Sequence, residues 1–241
     1  MKHLNKIGNA ELKALKENYQ GALEDALKQV EEGYPIQYLI GYVDFYHCKI
    51  KINENVLIPR FETEYLVEKA IKYLQKKEIK TGIDLCTGSG CIAIALKKHL
   101  NIQIDACDIS EDALKIAREN AKNNEVDIHF FKKDILTENI EGKYDFLISN
   151  PPYVKIDEYH SKETKFEPQI ALFAKNKGLE FYQRILKISK YLLNPNGMII
   201  FEIGATLGED IKKLALDIYP KANIKIEKDF NGFDRFMFIE T

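Results

Sequence analysis

The sequence lacks an excess of charge of either sign, a long apolar run and any low-complexity tract. Its 241 residues include 35 Lys and Arg against 37 Asp and Glu, a formal net charge of -2. This balance argues against a protein whose affinity comes mainly from neutralising nucleic-acid phosphates. No stretch approaches the roughly 20 apolar residues that span a bilayer, and residues 1–32 hold no apolar run typical of a signal peptide. We therefore expect a soluble, cytoplasmic globular protein that does not bind membranes.

Cysteine is also scarce, and none of the four cysteines has the paired spacing of metal ligands. They stand in apolar or glycine-rich surroundings, at Cys48, Cys86, Cys91 and Cys107. Such positions are typical of reduced thiols in a cytoplasmic protein, and the sequence predicts no metal site.

The first third of the chain changes from a helical to a strand pattern. Residues 9–32 repeat apolar side chains at helical spacing, and Gly21 is expected to divide them into two helices. Gly33 and Pro35 end this stretch, and the short apolar and β-branched runs in 38–57, such as 42–46 and 48–52, predict a β-hairpin. Three parts are therefore expected: a small N-terminal helical appendage at 1–34, a β-hairpin linker at 35–60 and a main domain at 61–241.

The main domain alternates predicted strands and helices, which implies βαβ units and a doubly wound sheet. Seven strands are expected, at residues 82–85, 102–107, 127–131, 144–149, 198–203, 224–228 and 235–239. Helices are expected at residues 62–75, 91–99, 111–123, 178–193 and 207–218. Only residues 231–233 join the last two strands, too few for a parallel crossover, so the final strand should run antiparallel. The predicted fold class is α/β with a seven-stranded, mostly parallel sheet.

A glycine-containing loop with the sequence DLCTGSGC follows the first predicted sheet strand, at residues 84–91. Gly88 and Gly90 let the chain turn tightly and let a ligand approach the backbone, while amides at the start of the next helix face an anionic or polar group. Asp108 ends the next strand, where a carboxylate can accept hydrogen bonds from both hydroxyls of a ribose. The pattern predicts an adenosine-containing cofactor, and alone it leaves NAD, FAD and S-adenosylmethionine open.

A second motif, Asn150-Pro151-Pro152-Tyr153, directly follows the apolar run at residues 144–149. A pair of prolines alone would only indicate a stiff turn at the end of a strand. Ligands of doubly wound sheets, however, bind beyond the carboxyl ends of the strands, near the point where strand order reverses. We therefore expect Asn150 to lie beside the glycine loop.

The chemistry of this motif suits methyl transfer to a planar NH2 group. The Asn150 side-chain oxygen and the Pro151 carbonyl can accept its two N–H bonds, orient it and stabilise the positive charge that develops on nitrogen. The two prolines fix the backbone, and Tyr153 can stack on the planar target. The sequence thus predicts Asn150, Pro151 and Tyr153 as catalytic residues and Pro152 as a further substrate contact.

Taken together, these motifs resemble those of S-adenosylmethionine-dependent amino-methyltransferases, and the single antiparallel strand resembles the class I layout. A closer resemblance is carried by PIQYLIG at residues 35–41 and VLIPRFETE at residues 56–64. These segments are similar to those of the protein-(glutamine-N5) methyltransferases of peptide chain release factors, the HemK/PrmC family. Further similar residues are Glu167, Pro168, Ala171, Leu172, Gly178, Leu179, Glu202, Ile203, Gly204, Asp234 and Arg235.

The resemblance implies S-adenosylmethionine as cofactor and the glutamine of the Gly-Gly-Gln loop of release factors as substrate, with nucleic acid unlikely as a direct substrate. The implied cofactor contacts are Asp84, Cys86, Thr87, Gly88, Ser89, Gly90, Asp108, Asp134, Ile135, Asn150, Arg60 and Thr63. Asp108 would hold the ribose, Ile135 the adenine, and Arg60 and Thr63 would lie near the amino-acid end. Residues 1–34 would be a shortened form of the family's helical substrate-recognition domain.

Three alternatives stay open from the sequence, and the third is a non-catalytic cofactor-binding or assembly subunit, against which the Asn150–Tyr153 motif and Asp108 argue. The same four-residue motif serves methyltransferases that act on the exocyclic amine of adenine in RNA or DNA, although a DNA enzyme usually adds a target-recognition domain. A glutamine of a ribosomal protein is the second alternative. The family often has Gly in place of Cys86, Pro in place of Phe61 and Gln in place of Leu207; the first two changes are small and the third is peripheral.

Overall fold

The computed structural model describes residues 8–155 and 163–241. Three short helices open the described chain, α1 (Asn9–Asn18), α2 (Leu23–Glu31) and α3 (Ile36–Ile40). The helical pattern is broken between α1 and α2, as predicted at Gly21. Their apolar faces form a separate small cluster around Leu15, Ala26, Ile36 and Ile40. The N-terminal helices therefore have a core of their own.

Helix α3 lies within the segment expected to be only a hairpin linker. Pro35 stands at its N-terminal cap, and Gly41 ends it in the left-handed conformation at φ 85°. Five residues are too few to show helical periodicity, so the sequence pattern missed this helix. The predicted hairpin follows as β1 (Tyr42–Phe45) and β2 (Cys48–Lys51), which pair antiparallel.

The main domain contains the remaining elements. Its helices are α4 (Phe61–Leu74), α5 (Cys91–His99), α6 (Glu111–Asn123), α7 (Glu180–Leu192) and α8 (Gly208–Ile218). Its strands are β3 (Thr81–Leu85), β4 (Gln103–Asp108), β5 (His129–Lys132), β6 (Tyr144–Ser149), β7 (Val154–Lys155), β8 (Phe173–Ala174), β9 (Leu193–Glu202), β10 (Asn223–Lys228) and β11 (Asp234–Glu240). None of the helices in the described ranges is long and apolar enough to cross a bilayer.

The central sheet has seven strands in the order β10-β11-β9-β6-β3-β4-β5. All neighbours pair in parallel except β11, which is antiparallel to β9 and β10. The α/β class, the seven-stranded sheet and the antiparallel final strand are therefore confirmed. Strand β9 begins at Leu193, earlier than predicted, because Leu193 pairs with Tyr144 before the register shifts.

Helices cover both faces of the sheet. On one face α4, α5, α6 and the hairpin pack against residues such as Phe146 and Ile200, which are fully buried. On the other face α7 and α8 pack against Leu147 and Phe201. Strand order reverses at β3, which lies between β6 and β4. The carboxyl ends of these three strands therefore open the crevice in which ligands of such sheets bind.

Candidate active site

A cleft lies at the carboxyl ends of β3, β4 and β6. It encloses about 1090 Å³ of space, a volume that includes solvent at its open side. The predicted site residues that line it are Thr63, Cys86, Thr87, Gly88, Ser89, Asp108, Asp134, Ile135, Asn150 and Pro152. Arg60, Asp84, Gly90, Pro151 and Tyr153 are not among its lining residues. The structure thus brings together ten of the sequence-predicted residues around one space.

The glycine loop makes its turn through three left-handed residues. Cys86, Gly88 and Gly90 have φ of 61°, 55° and 80°. A Cβ built on Gly88 would find no atom within 4 Å, whereas at Gly90 it would meet Ala117 Cβ at 3.1 Å. Gly88 therefore leaves open space for a ligand, and Gly90 allows α5 to pack closely on α6.

Asp84 supports the loop from beneath. It is fully buried, and its Oδ2 accepts a hydrogen bond from Thr87 Oγ1 at 2.6 Å. Its Oδ1 has no hydrogen-bond partner among the described residues. Burial raises the pKa of this carboxyl to about 7, while the hydrogen bond from Thr87 opposes the rise.

Asp108 joins the loop to the end of β4. Its Oδ2 accepts from Gly88 N at 2.8 Å and its Oδ1 from Ser110 N at 2.9 Å. Burial raises its pKa, and the hydrogen bonds from Ser110 and Gly88 oppose the rise. A carboxylate has about four acceptor sites, so Asp108 can still accept a hydrogen bond from a hydroxyl group in the cleft.

The wall beyond Asp108 is apolar. Ile109, Ile135, Leu136 and Phe181 line this part of the cleft. The carbonyl of Ile135 is held by Arg184 Nε at 2.7 Å. Phe181 was missed by the sequence interpretation, because it lies in α7, far along the chain from every recognised motif. A flat aromatic heterocycle fits between such side chains.

The carboxylate of Asp134 is engaged by its own turn. Its Oδ1 accepts from Leu136 N at 3.0 Å, and its Oδ2 accepts from Thr137 Oγ1 at 2.7 Å. These bonds hold the turn that places Ile135 and Leu136 on the cleft wall.

Asn150 is linked to two side chains from other elements. Its Nδ2 donates to Thr63 Oγ1 at 3.3 Å, and Thr63 Oγ1 donates to Glu202 Oε2 at 2.7 Å. Thr63 and Glu202 are both 2% exposed. Burial raises the pKa of Glu202 to about 7, opposed first by the hydrogen bond from Thr63 and then by the charge of Arg235. Glu202 is one of the residues that resemble the family, but its position in the sequence gave no sign of this contact.

Tyr153, the last residue of the motif, lies next to Arg235 and Gly204. Its hydroxyl accepts from Arg235 Nη1 at 3.4 Å, and its ring lies near Gly204, where an added Cβ would meet Tyr153 Cδ2 at 3.3 Å. Burial raises the pKa of Tyr153 to about 12, so this phenol stays neutral at physiological pH.

Arg60 contacts a buried carboxylate. Its Nη2 donates to Glu167 Oε1 at 2.5 Å, and Glu167 Oε2 accepts from Ile58 N at 3.1 Å. Glu167 is 3% exposed, so Arg60 compensates a charge that would otherwise be buried alone. This pair ties the segment before α4 to Pro168, and both segments line the cleft.

Comparisons with known proteins agree with this arrangement. A family model described as "Methyltransferase small domain" matches residues 63–166. A release factor glutamine methyltransferase of Flavobacterium psychrophilum is 43% identical over 224 residues, 89% of this chain and 78% of that protein. Another from Enterococcus faecalis is 40% identical over 222 residues, 90% of this chain and 80% of that protein.

The fold also recurs in solved structures. The crystal structure of a methyltransferase from Pyrococcus furiosus has a TM-score of 0.58 to this chain at 17% identity. The match covers 80% of this chain and 88% of that one. At this level of identity the likeness concerns the fold, which is that of the class I sheet.

Proposed function

The chain belongs to the family of release factor glutamine methyltransferases, and from this premise we propose its reaction and substrate. It transfers a methyl group from S-adenosylmethionine to the side-chain amide nitrogen of the glutamine in the Gly-Gly-Gln motif of peptide chain release factors. The observation that carries the proposal is the position of Asn150, which directly follows β6 beside the strand-order reversal and lines the same cleft as the glycine loop and Asp108.

The residues of the cleft fit S-adenosylmethionine in three respects. The open space at Gly88 admits the backbone-bound amino-acid end, the remaining acceptor capacity of Asp108 suits a ribose hydroxyl, and the apolar wall at Ile135 suits the adenine. When bound, this cofactor supplies an electrophilic methyl group on a sulfonium centre.

The protein's own part in the reaction is to orient the acceptor amide. Asn150 Oδ1 and the Pro151 carbonyl accept the two N–H bonds of the glutamine, which stabilises the charge that develops on nitrogen. Tyr153 stacks on the flat amide and limits its orientation. No general base is required, since the nitrogen becomes acidic only as the methyl group arrives.

The release factor is proposed to be held outside the cleft. We assign its recognition to the N-terminal part at 1–34, and treat 35–60 as the linker to the methyltransferase domain at 61–241. The separate apolar cluster of Leu15, Ala26, Ile36 and Ile40 supports this assignment, because it gives α1, α2 and the adjoining α3 a core distinct from the main domain.

A labelling assay tests the proposal. The protein is incubated with methyl-labelled S-adenosylmethionine and, in parallel, with a release factor, its Gly-Gly-Gln variant with Ala in place of the glutamine, ribosomal proteins and RNA. We expect label on the release factor and none on the Ala variant. Label confined to RNA or to a ribosomal protein would support methyl transfer by this protein and refute the release factor as its substrate.

A further inference from the structure

Three side chains from separate elements form a short hydrogen-bonded chain at the edge of the cleft. Glu202 is the last residue of β9, Thr63 lies in the first turn of α4, and Asn150 directly follows β6. The two hydrogen bonds that connect them are 2.7 Å and 3.3 Å long. Of the three, only Asn150 is more than slightly exposed, so the chain runs from a buried carboxylate to the cleft.

The number of hydrogens on these three side chains determines which group donates in each hydrogen bond. A carboxylate can only accept, so the single hydrogen of the Thr63 hydroxyl points to Glu202. Thr63 Oγ1 then has only lone pairs to offer to Asn150. The amide nitrogen must face Thr63, because the amide oxygen would set two acceptors against each other. Asn150 Oδ1 is consequently turned away from Thr63.

We propose that Glu202, acting through Thr63, is a positioning residue that fixes the Asn150 side chain with its oxygen toward the substrate amide. The inference rests on the proposed function, which requires an acceptor at this place. Rotated by half a turn, Asn150 would present an NH2 group to the NH2 group of the substrate, and no hydrogen bond could form. Glu202 is not among the residues that line the cleft, so it acts on the substrate only through Thr63 and Asn150.

The protonation state of Glu202 decides the direction of the hydrogen bonds between Glu202, Thr63 and Asn150. Protonated Glu202 can donate to Thr63, which releases the Thr63 hydrogen toward Asn150 and permits the unproductive rotamer. The pKa of Glu202 is raised to about 7 by burial, so the carboxylate form is present above that pH and is lost as pH falls through it. The turnover number should therefore decline on the acid side.

Several charged or titratable groups act on Glu202 from the elements around it. They are Arg60 and Glu62 at the start of α4, Cys91 on α5, Tyr153 after β6, Tyr182 on α7 and Arg235 on β11. Asp84 also has a pKa raised to about 7, so a pH profile of the wild-type protein alone would not identify the group. Substitution of Glu202 separates the two.

The first experiment needs no substrate. The free protein is labelled with 15N-asparagine, and the side-chain NH2 resonance of Asn150 is identified by its loss in Asn150→Asp. We expect slow solvent exchange of one of its two hydrogens, and a shift with pH near 7. Thr63→Val should abolish the protection and Thr63→Ser should restore it. Glu202→Gln should remove the pH dependence, because a glutamine oxygen still accepts from Thr63 but does not titrate.

The second experiment is kinetic and uses a release factor as acceptor. Thr63→Val should lower kcat by up to about 100-fold, the scale of a misplaced reacting group, with a smaller change in KM for the release factor. Glu202→Gln should flatten the acid limb of kcat. The matched controls are Thr206→Val and Glu209→Gln, both at exposed positions outside the chain of bonds.

The outcomes distinguish this inference from the proposed function. An Asn150 resonance that is insensitive to pH and unchanged by Thr63→Val and Glu202→Gln would overturn the positioning role, whatever the enzyme methylates. A wild-type protein that leaves the release factor unlabelled would overturn the proposed function, and the resonance measurement would still decide the role of Glu202.

Discussion

Asp108 is the residue on which both the shape of the glycine loop and the acceptor chemistry of the cleft depend. Its two oxygens hold the backbone amides of Gly88 and Ser110. Asp108→Asn replaces one acceptor with a donor that faces a backbone N–H. We expect the Kd for S-adenosylmethionine to rise about 10- to 100-fold, since hydrogen bonds to a charged group contribute about 1.5–3 kcal/mol. Titration calorimetry measures this change.

The control for that measurement is Asp112→Asn. Asp112 pairs with Lys115 on the exposed face of α6, so its loss should leave the Kd unchanged. Equal affinity of wild type and Asp108→Asn would show that the ribose assignment is wrong.

Cys86 stands in a backbone conformation that suits glycine. Its φ of 61° places it in the left-handed region, where a β-branched side chain is strained by about 1–3 kcal/mol. Cys86→Val should therefore lower the free energy of unfolding, while Cys86→Gly should leave it close to the wild-type value. Thermal unfolding of the two variants compares them directly. A Gly variant less stable than the Val variant would contradict this reading of the loop.

Residues that act through local motifs could be predicted, and residues that act across the fold could not. Asp108 ends β4 and Asn150 directly follows β6, so their places at the sheet edge follow from topology alone. Glu202 meets Thr63 only because β9 and α4 pack together, a contact across 139 positions of sequence. Phe181 reaches the cleft from α7 in the same way. No local pattern carries such information.

At the scale of elements, the hairpin is attached to the main domain by side-chain amides of α6. Asn120 Oδ1 accepts from Lys51 N at 2.7 Å, and its Nδ2 donates to the carbonyls of Lys51 and Ser89 at 3.0 Å. It thus connects β2 with the glycine loop. Sequence predicted both elements, yet gave no indication that one buried Asn joins them.

Removing this side chain should loosen the hairpin. Asn120→Ala leaves the buried carbonyl of Ser89 and the partly buried N–H and carbonyl of Lys51 without this partner, which costs about 1–3 kcal/mol of stability. Hydrogen exchange at the Lys51 amide should accelerate more than exchange elsewhere in the sheet. Asn123→Ala, an exposed position on the same helix, is the control. Unchanged protection of Lys51 in the Asn120 variant would refute this attachment.

The sequence predicted the long elements better than the short ones. The regular alternation of the main domain follows from hydrophobic periodicity that extends over several turns or strand pairs. Helix α3, with five residues between Pro35 and Gly41, is too short for that signal. The early start of β9 at Leu193 depends on a register shift against β6, which is a property of the pairing and not of either strand.

At the scale of the whole molecule, the N-terminal cluster should affect docking of the release factor without affecting the cofactor. Leu15 is fully buried in that cluster, and Leu15→Ala typically costs about 2–5 kcal/mol at such a site. We expect a higher KM for the release factor and an unchanged Kd for S-adenosylmethionine. Lys16→Ala, exposed on the same helix, is the control. A Leu15 variant with wild-type KM would argue against recognition by this part.

The central claim is that Asn150 directs a methyl group onto the amide nitrogen of one glutamine. The most direct measurement is tandem mass spectrometry of a release factor after incubation with S-adenosylmethionine and either the wild-type protein or Asn150→Ala. We predict one added methyl group on the Gly-Gly-Gln glutamine with the wild type, and at least about a 100-fold slower reaction with the variant. A methyl group on another residue, or equal rates for the two proteins, would contradict the account.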